Sequence, residues 1–152
     1  MEESVSQIID GLWIGGEGSS ASRQFFEKEN IEAVVNCTPS LQHNFHKLGV
    51  EYIRIPAGDS REQEDLDLMK AMMPLVVEWI RFHHQVQKKN ILVHCHQGIN
   101  RSATFVCAYL MKHYGMNLRD ATEFLVIRRQ PVFYNGDKPT FKQVLENWEK
   151  TL

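Results

Sequence analysis

The sequence has three cysteines among 152 residues, no excess of charge of one sign, and no apolar run near the roughly 20 residues that a membrane-spanning helix needs. Each scarcity excludes something. An odd, small number of cysteines is no disulfide framework; it points to a reducing compartment, so a cytoplasmic location is expected, with nuclear entry left open. Lys and Arg total 17 against 19 Asp and Glu, a net charge of -2. Such a balance gives no broad basic surface, so neither nucleic acid nor a membrane is an expected partner. The start, Met1-Glu2-Glu3-Ser4, is acidic and polar and lacks the features of a secretory signal. Metal-site spacings are absent too: there is no Cys-x2-Cys and no His-Glu-x2-His. Seven histidines are present, but His83-His84 are adjacent and His94 and His96 flank a cysteine. Neighbours on an extended chain point to opposite sides and ligate poorly together. No metal and no cofactor are expected. What remains is ordinary globular composition, 43% hydrophobic and 24% charged, in a chain long enough for a real core. One domain spanning 1–152 is the expectation.

Periodicity alternates between strand and helix. Ile8-Ile9 and Leu12-Trp13-Ile14 flank the turn dipeptide Asp10-Gly11 and read as a short hairpin or paired edge strands. Gly15-Gly16 and Gly18-Ser19-Ser20 read as a flexible connection, and Ser20 or Ser22 is a candidate cap for a helix to about Glu29. Ala33-Val34-Val35-Asn36 is a short buried strand, ended by Thr38-Pro39. Tyr52-Ile53-Arg54-Ile55 is a second strand, stopped by Pro56. Leu66 to about Gln87 is a long amphipathic helix with Met69, Met72, Met73, Val76, Val77 and Ile80 on one face; Pro74 within it should kink it or mark a boundary. Asn90 opens another strand. Ser102 to Tyr114 is apolar nearly all round, as a central buried helix is, and Gly115 fits its C-terminal cap. Asn117 can cap a helix to about Arg129, closed by Pro131. Thr140 caps the last helix, with Phe141, Val144, Leu145 and Trp148 inward. Interleaved strands and helices make an α/β fold around a mostly parallel sheet.

The segment Val93-His94-Cys95-His96-Gln97-Gly98-Ile99-Asn100-Arg101-Ser102 carries the chemistry. A strand ends there, a loop follows, and a buried helix begins. Loop amides and a helix N-terminus then converge on one point, which attracts anions. A cysteine in that field is favoured as the reactive thiolate. Arg101, separated from Cys95 by five residues, adds a planar fork that matches two phosphate oxygens. His94-Cys95-x5-Arg101-Ser102, with Gly98 inside, resembles the signature of the cysteine-dependent protein phosphatases. The chain from Ile8 to about Trp148 is most similar to the small dual-specificity phosphatases. That resemblance implies a sheet of about five strands with helices on both sides. It implies hydrolysis of phosphoprotein substrates, at phosphotyrosine and phosphoserine or phosphothreonine, through a cysteinyl-phosphate. Cys95 is then the expected nucleophile. Amides of His96, Gln97, Gly98, Ile99, Asn100 and Arg101, with the Arg101 guanidinium, cradle the phosphate. By the same resemblance Ser102 stabilises the departing thiolate and His94 orders the loop.

The proton donor is sought in the segment 57–67, which holds five acidic residues. Ile55-Pro56-Ala57-Gly58-Asp59 matches the family position, a turn with proline shortly before the long helix, so Asp59 is the first candidate. Asp65 is its rival, though it also suits a helix N-cap, and Asp67 reads as first-turn charge. In the family an Asn at position 36 braces the phosphate loop, and Asn135 resembles the asparagine of an Arg-rich loop beside the site. For both, a plain turn asparagine is the competing reading. Arg128 and Arg129 suit a helix C-terminus, with binding of a second phosphate as the alternative. Cys37 and Cys107 read as core, and so by default do Phe133 and Tyr134.

Two other readings stay in view: a phosphatase of this fold acting on RNA 5′-triphosphate ends or phosphoinositides, and a non-catalytic phospho-binding module. Relatives for highly anionic substrates place basic residues in the signature loop, whereas positions 96–100 hold no Lys or Arg. The intact Cys95, Arg101 and Ser102 argue against the binding module. Oligomeric state is not legible in the sequence.

Overall fold

The computed structural model describes residues 4–60, 62–130, 132–133 and 141–152. Its strands are β1 (Val5–Ile9), β2 (Leu12–Gly15), β3 (Ile31–Asn36), β4 (Glu51–Arg54) and β5 (Asn90–His94). Its helices are α1 (Glu17–Ser20), α2 (Arg23–Lys28), α3 (Gln63–Arg81), α4 (Arg101–His113), α5 (Leu118–Arg128) and α6 (Lys142–Thr151). The sheet order is β1-β2-β5-β3-β4. Only the β1–β2 pair, joined through Gly11 at φ +80°, is antiparallel; the other three pairings are parallel. The mixed sheet of five strands flanked by helices agrees with the expected architecture.

The central strands are buried on both faces, and their side chains alternate between two cores. Leu12, Ile14, Ala33, Val35, Ile91 and Val93 face the larger core, against α3, α4, α5 and α6. Trp13, Val34 and Leu92 face a smaller one with Phe26, Phe45 and Val50. This explains why the strands read as nearly continuous apolar runs: a parallel sheet covered on both sides has no polar face. Helix α4 runs through the larger core, and every residue from Arg101 to Met111 is buried. Burial of a side chain such as Phe105 or Leu110 contributes about 1.5–3 kcal/mol each.

Register sets the site. Gly15 and Asn36 both pair with His94, and Asn36 also pairs with Arg54. The C-terminal ends of four strands therefore lie in one row, and Cys95 is the next residue on the central strand. Ligands of open α/β sheets bind at these carboxyl ends.

Some elements differ from expectation. The long helix starts at Gln63 rather than Leu66, and Pro74 marks no boundary in it. Pro74 lies on an exposed part of the helix, where water can take the carbonyl that its missing N–H leaves unpaired. The helix ends in a π turn, Phe82–Val86. Residues 17–20, expected as flexible connection, form one helical turn whose Glu17 N–H donates to the His96 carbonyl at 2.8 Å. Ser22, rather than Ser20, caps α2, and Asn117 caps α5 as expected. Pro131, Tyr134, Asn135 and Thr140 lie outside the described residues.

Candidate active site

Residues 95–101 run from the end of β5 into the first turn of α4, and the rest of the protein holds the carbonyls of this loop from outside. Glu17 N–H donates to His96 O, at 2.8 Å, and Phe133 N–H to Ile99 O, at 3.1 Å. Thr104 donates both its N–H and its hydroxyl to Asn100 O, at 2.9 and 2.8 Å. The Arg129 guanidinium donates to Gly98 O, at 2.8 Å, and to Gln97 O, at 3.0 Å. Five successive carbonyls are thus fixed. In a planar trans peptide the next N–H points opposite to the C=O, so the amides turn inward. Gly98 N–H meets Cys95 Sγ at 3.2 Å. Among the described residues the N–H groups of His96, Gln97, Ile99, Asn100 and Arg101 make no hydrogen bond. A ring of unpaired donors next to a sulfur is an oxyanion cradle.

The side chains agree with this. Ser102 Oγ lies 3.3 Å from Cys95 Sγ. Arg101 is 4% exposed, donates Nη1–H to Ala57 O at 2.9 Å, and keeps its buried Nε–H unpaired. A buried guanidinium donor without a partner is costly, and a phosphate oxygen would satisfy it. His94 is buried, with Nδ1 3.4 Å from the Cys95 carbonyl, and burial pushes its pKa down to about 4, so the ring is neutral. Burial pushes Cys37 well above the usual thiol range and Cys107 to about 12. Both are protonated core thiols, consistent with their sequence reading.

The two acids differ in attachment. Asp59 is exposed and accepts a long bond, 3.4 Å, from Asn100 Nδ2 of the cradle loop. Asp65 accepts from Ser60 Oγ at 2.6 Å and Gly58 N–H at 3.0 Å, and these bonds hold its carboxyl below the usual range. It is not a helix cap; Glu62 occupies that position, and Asp65 reaches back from the first turn of α3 to organise residues 58–60. Asp67 accepts from Gln63 within the helix.

Other candidates sit farther from the sulfur chemistry. Asn36 Nδ2 donates to Leu41 O, and its Oδ1 accepts from the N–H and hydroxyl of Thr38. Its side chain organises the turn after β3 and makes no bond to the 95–101 loop. Phe133 belongs to the core. Arg128 donates to Phe124 O and stacks on the Phe124 ring, a helix-end role. Arg129 differs from the expectation of a helix-end charge: it is 2% exposed and grips the cradle loop. Sequence reading missed it because one arginine at the end of a helix reads like its neighbour; only burial separates them. Two further concavities, of about 450 Å³ beside His84 and Lys88 and about 400 Å³ beside His43 and Tyr52, contain none of these groups.

Comparison with known proteins agrees with this geometry. The profile described as "Dual specificity phosphatase, catalytic domain" matches residues 12–151. The chain is 32% identical over 152 residues to "Dual specificity protein phosphatase Mpk3" of Drosophila melanogaster, covering 99% of this chain and 35% of that protein. It is 28% identical over 151 residues to human "Dual specificity protein phosphatase 21", covering 98% of this chain and 74% of that one. The crystal structure of DUSP15 superposes with a TM-score of 0.83 at 25% identity, over 97% of this chain and 88% of the other.

Proposed function

Because the chain belongs to the dual specificity phosphatase catalytic-domain family, we propose that it hydrolyses phosphotyrosine and phosphoserine or phosphothreonine in proteins, with Cys95 as nucleophile. The observation that carries this reading is the loop 95–101. Its sulfur is approached by one amide and one hydroxyl, its remaining amides are unpaired, and a buried arginine donor has no partner.

The reaction has two steps. The Cys95 thiolate attacks phosphorus; an S–P bond forms, and the P–O bond to the substrate breaks as Asp59 gives its proton to the departing oxygen. The loop amides and the Arg101 fork receive the charge that builds on the equatorial oxygens. Water then attacks phosphorus, Asp59 takes the proton, and the S–P bond breaks. The thiolate departs with the Ser102 hydroxyl donating to it. In the resting geometry Asp59 is tethered to the cradle through Asn100 while Asp65 is occupied by its own loop, which favours Asp59 as the donor. Absence of Lys and Arg between Cys95 and Arg101 favours phosphoprotein over polyanionic substrates.

Matched phosphopeptides that differ only in the phosphorylated residue test this reading. The wild type is expected to release phosphate from all three, fastest from phosphotyrosine, because phenolate leaves more easily than alkoxide. Cys95→Ser is expected to abolish turnover while retaining phosphate binding, since a serine hydroxyl without a neighbouring base is a poor nucleophile. Turnover of phosphotyrosine alone would remove dual specificity, and an active Cys95→Ser protein would remove the cysteinyl-phosphate.

A further inference from the structure

We propose that Arg129 is a positioning residue for phosphoryl transfer: it clamps two peptide planes of the cradle so that the Gly98 and Ile99 amides point at the transferring phosphate. The inference rests on the phosphatase reading above.

The five guanidinium donors of Arg129 each have a partner. Nε–H goes to Gly98 O at 2.8 Å. Nη1 donates to Ser4 Oγ and Ser6 Oγ, both at 3.0 Å. Nη2 donates to Gln97 O at 3.0 Å and Ser4 O at 3.3 Å. With every donor engaged, none remains for a second phosphate on a substrate. The consequence for the loop follows from peptide geometry. The Gln97 carbonyl and the Gly98 N–H belong to one planar unit, as do the Gly98 carbonyl and the Ile99 N–H. Holding both oxygens on one side presents both N–H groups on the other. Gly98 N–H, found 3.2 Å from Cys95 Sγ, has that orientation.

Glycine permits this turn of the loop, and tertiary contacts enclose it. Gly98 has φ +70°, and a Cβ there would lie 2.6 Å from Gly15 O and 2.7 Å from Arg129 Nη2. Backbone, β2 and guanidinium are in close contact. A charged donor strengthens both bonds relative to a neutral one. The planar fork serves the two loop carbonyls together with Ser4 and with Ser6 of β1, which an ammonium cannot do. Strand β1 thereby joins the site from the edge of the sheet without contacting substrate.

The full-length chain carrying Arg129→Met and, separately, Arg129→Lys tests the proposal. The measurements are kcat and KM on a small aryl phosphate, inhibition by vanadate, vanadate binding by calorimetry, and thermal unfolding. Arg129→Met is expected to lower kcat/KM by about 10–100-fold, the range for residues that support a reacting group from outside. The vanadate inhibition constant should rise by a similar factor, because vanadate resembles the transferring phosphoryl group. Arg129→Lys, able to hold one carbonyl, should recover part of both. A merely structural arginine would lower the unfolding temperature without this parallel shift. If Arg129→Met does not fold, Arg129→Lys and the double variant Ser4→Ala/Ser6→Ala, which loosens the outer half of the clamp, decide the matter. A folded variant of Arg129 with kcat/KM and vanadate affinity within about twofold of wild type would overturn the proposal. A wild type that turns over no phosphate ester would instead sink the phosphatase reading, while the calorimetric vanadate affinities would still decide the role of Arg129.

Discussion

Two aspartates six residues apart, Asp59 and Asp65, show how single residues divide the work. Asp65 accepts two short bonds that favour its ionised form, whereas Asp59 carries one long bond and faces solvent. Asp59→Asn is therefore expected to lower kcat by about 10²–10³-fold on esters with poor leaving groups and to spare good ones, since only the former need a proton. Asp65→Asn should act evenly on both substrate classes, by loosening residues 58–60. Rates measured on a leaving-group series would exchange the two roles if the patterns were reversed. His94 gives a second prediction, in stability. Burial lowers its folded pKa to about 4, from 6.5 for the free side chain. The folded state then binds fewer protons than the unfolded one. Its contribution is complete above pH 6.5 and is lost as pH falls through 6.5 towards 4. His43, His83 and His113 are lowered in the same direction, also chiefly by burial. The unfolding temperature should therefore drop across that window, and His94→Asn should flatten the drop in part. An unchanged slope would show that His94 is not protonated on unfolding. In sequence only position after Pro56 ranked Asp59 above Asp65, and His94 is one of seven histidines; the hydrogen bonds and burial behind both contrasts are tertiary.

At the scale of elements, the cradle loop and the end of α4 pose the same backbone question with different answers. Gly98 and Gly115 have φ +70° and +67°, a region that favours glycine. Nothing lies within 4 Å of a Cβ built on Gly115, whereas Gly98 abuts Gly15 O and Arg129. Gly115→Ala should cost about 1 kcal/mol in unfolding free energy, with activity unchanged. Gly98→Ala must also displace backbone, and should lower kcat/KM at least about a hundredfold by turning amides away from the phosphate. Equal effects of the two substitutions on activity would contradict a loop held in one shape. The helices with strong signals, α4 with its apolar surface and α5 with its Asn117 cap, were legible because their signals are local. The α1 turn was not. Its glycines and serines have no helical preference, and the bond from Glu17 to the His96 carbonyl comes from another part of the chain.

For the whole molecule, the C-terminal helix completes the larger core from a position remote from the loop. Trp148 packs there, 7% exposed, and donates Nε1–H to Ala108 O of the central helix at 3.1 Å. Trp148→Ala is expected to reduce stability by about 3–5 kcal/mol through the cavity it leaves, with the carbonyl losing its donor as well. KM and vanadate inhibition of the folded protein should stay at wild-type values. A shifted vanadate constant would mean that the α6 face and the cradle are coupled. This separates residues that support the fold from Arg129, which is expected to move both readouts.

The sequence alone determined the fold class, the segment from Cys95 to Arg101 and the elements on either side of it. Those features rest on short-range rules: period-two and helical apolar patterns, caps within one turn, and a motif whose parts lie within eight residues from His94 to Arg101. Tertiary structure decided what those rules cannot reach. Parallel register brought Gly15, Asn36, His94 and Arg54 into one row and set Cys95 beyond it. Packing turned Arg129 inward across more than thirty residues of chain separation from Gly98, while Arg128 stayed on the surface. It also directed the Asn36 amide to Leu41 and Thr38 and away from the cradle. Side-chain type limits which hydrogen bonds a residue can make, but burial and the approach of distant backbone decide which are made.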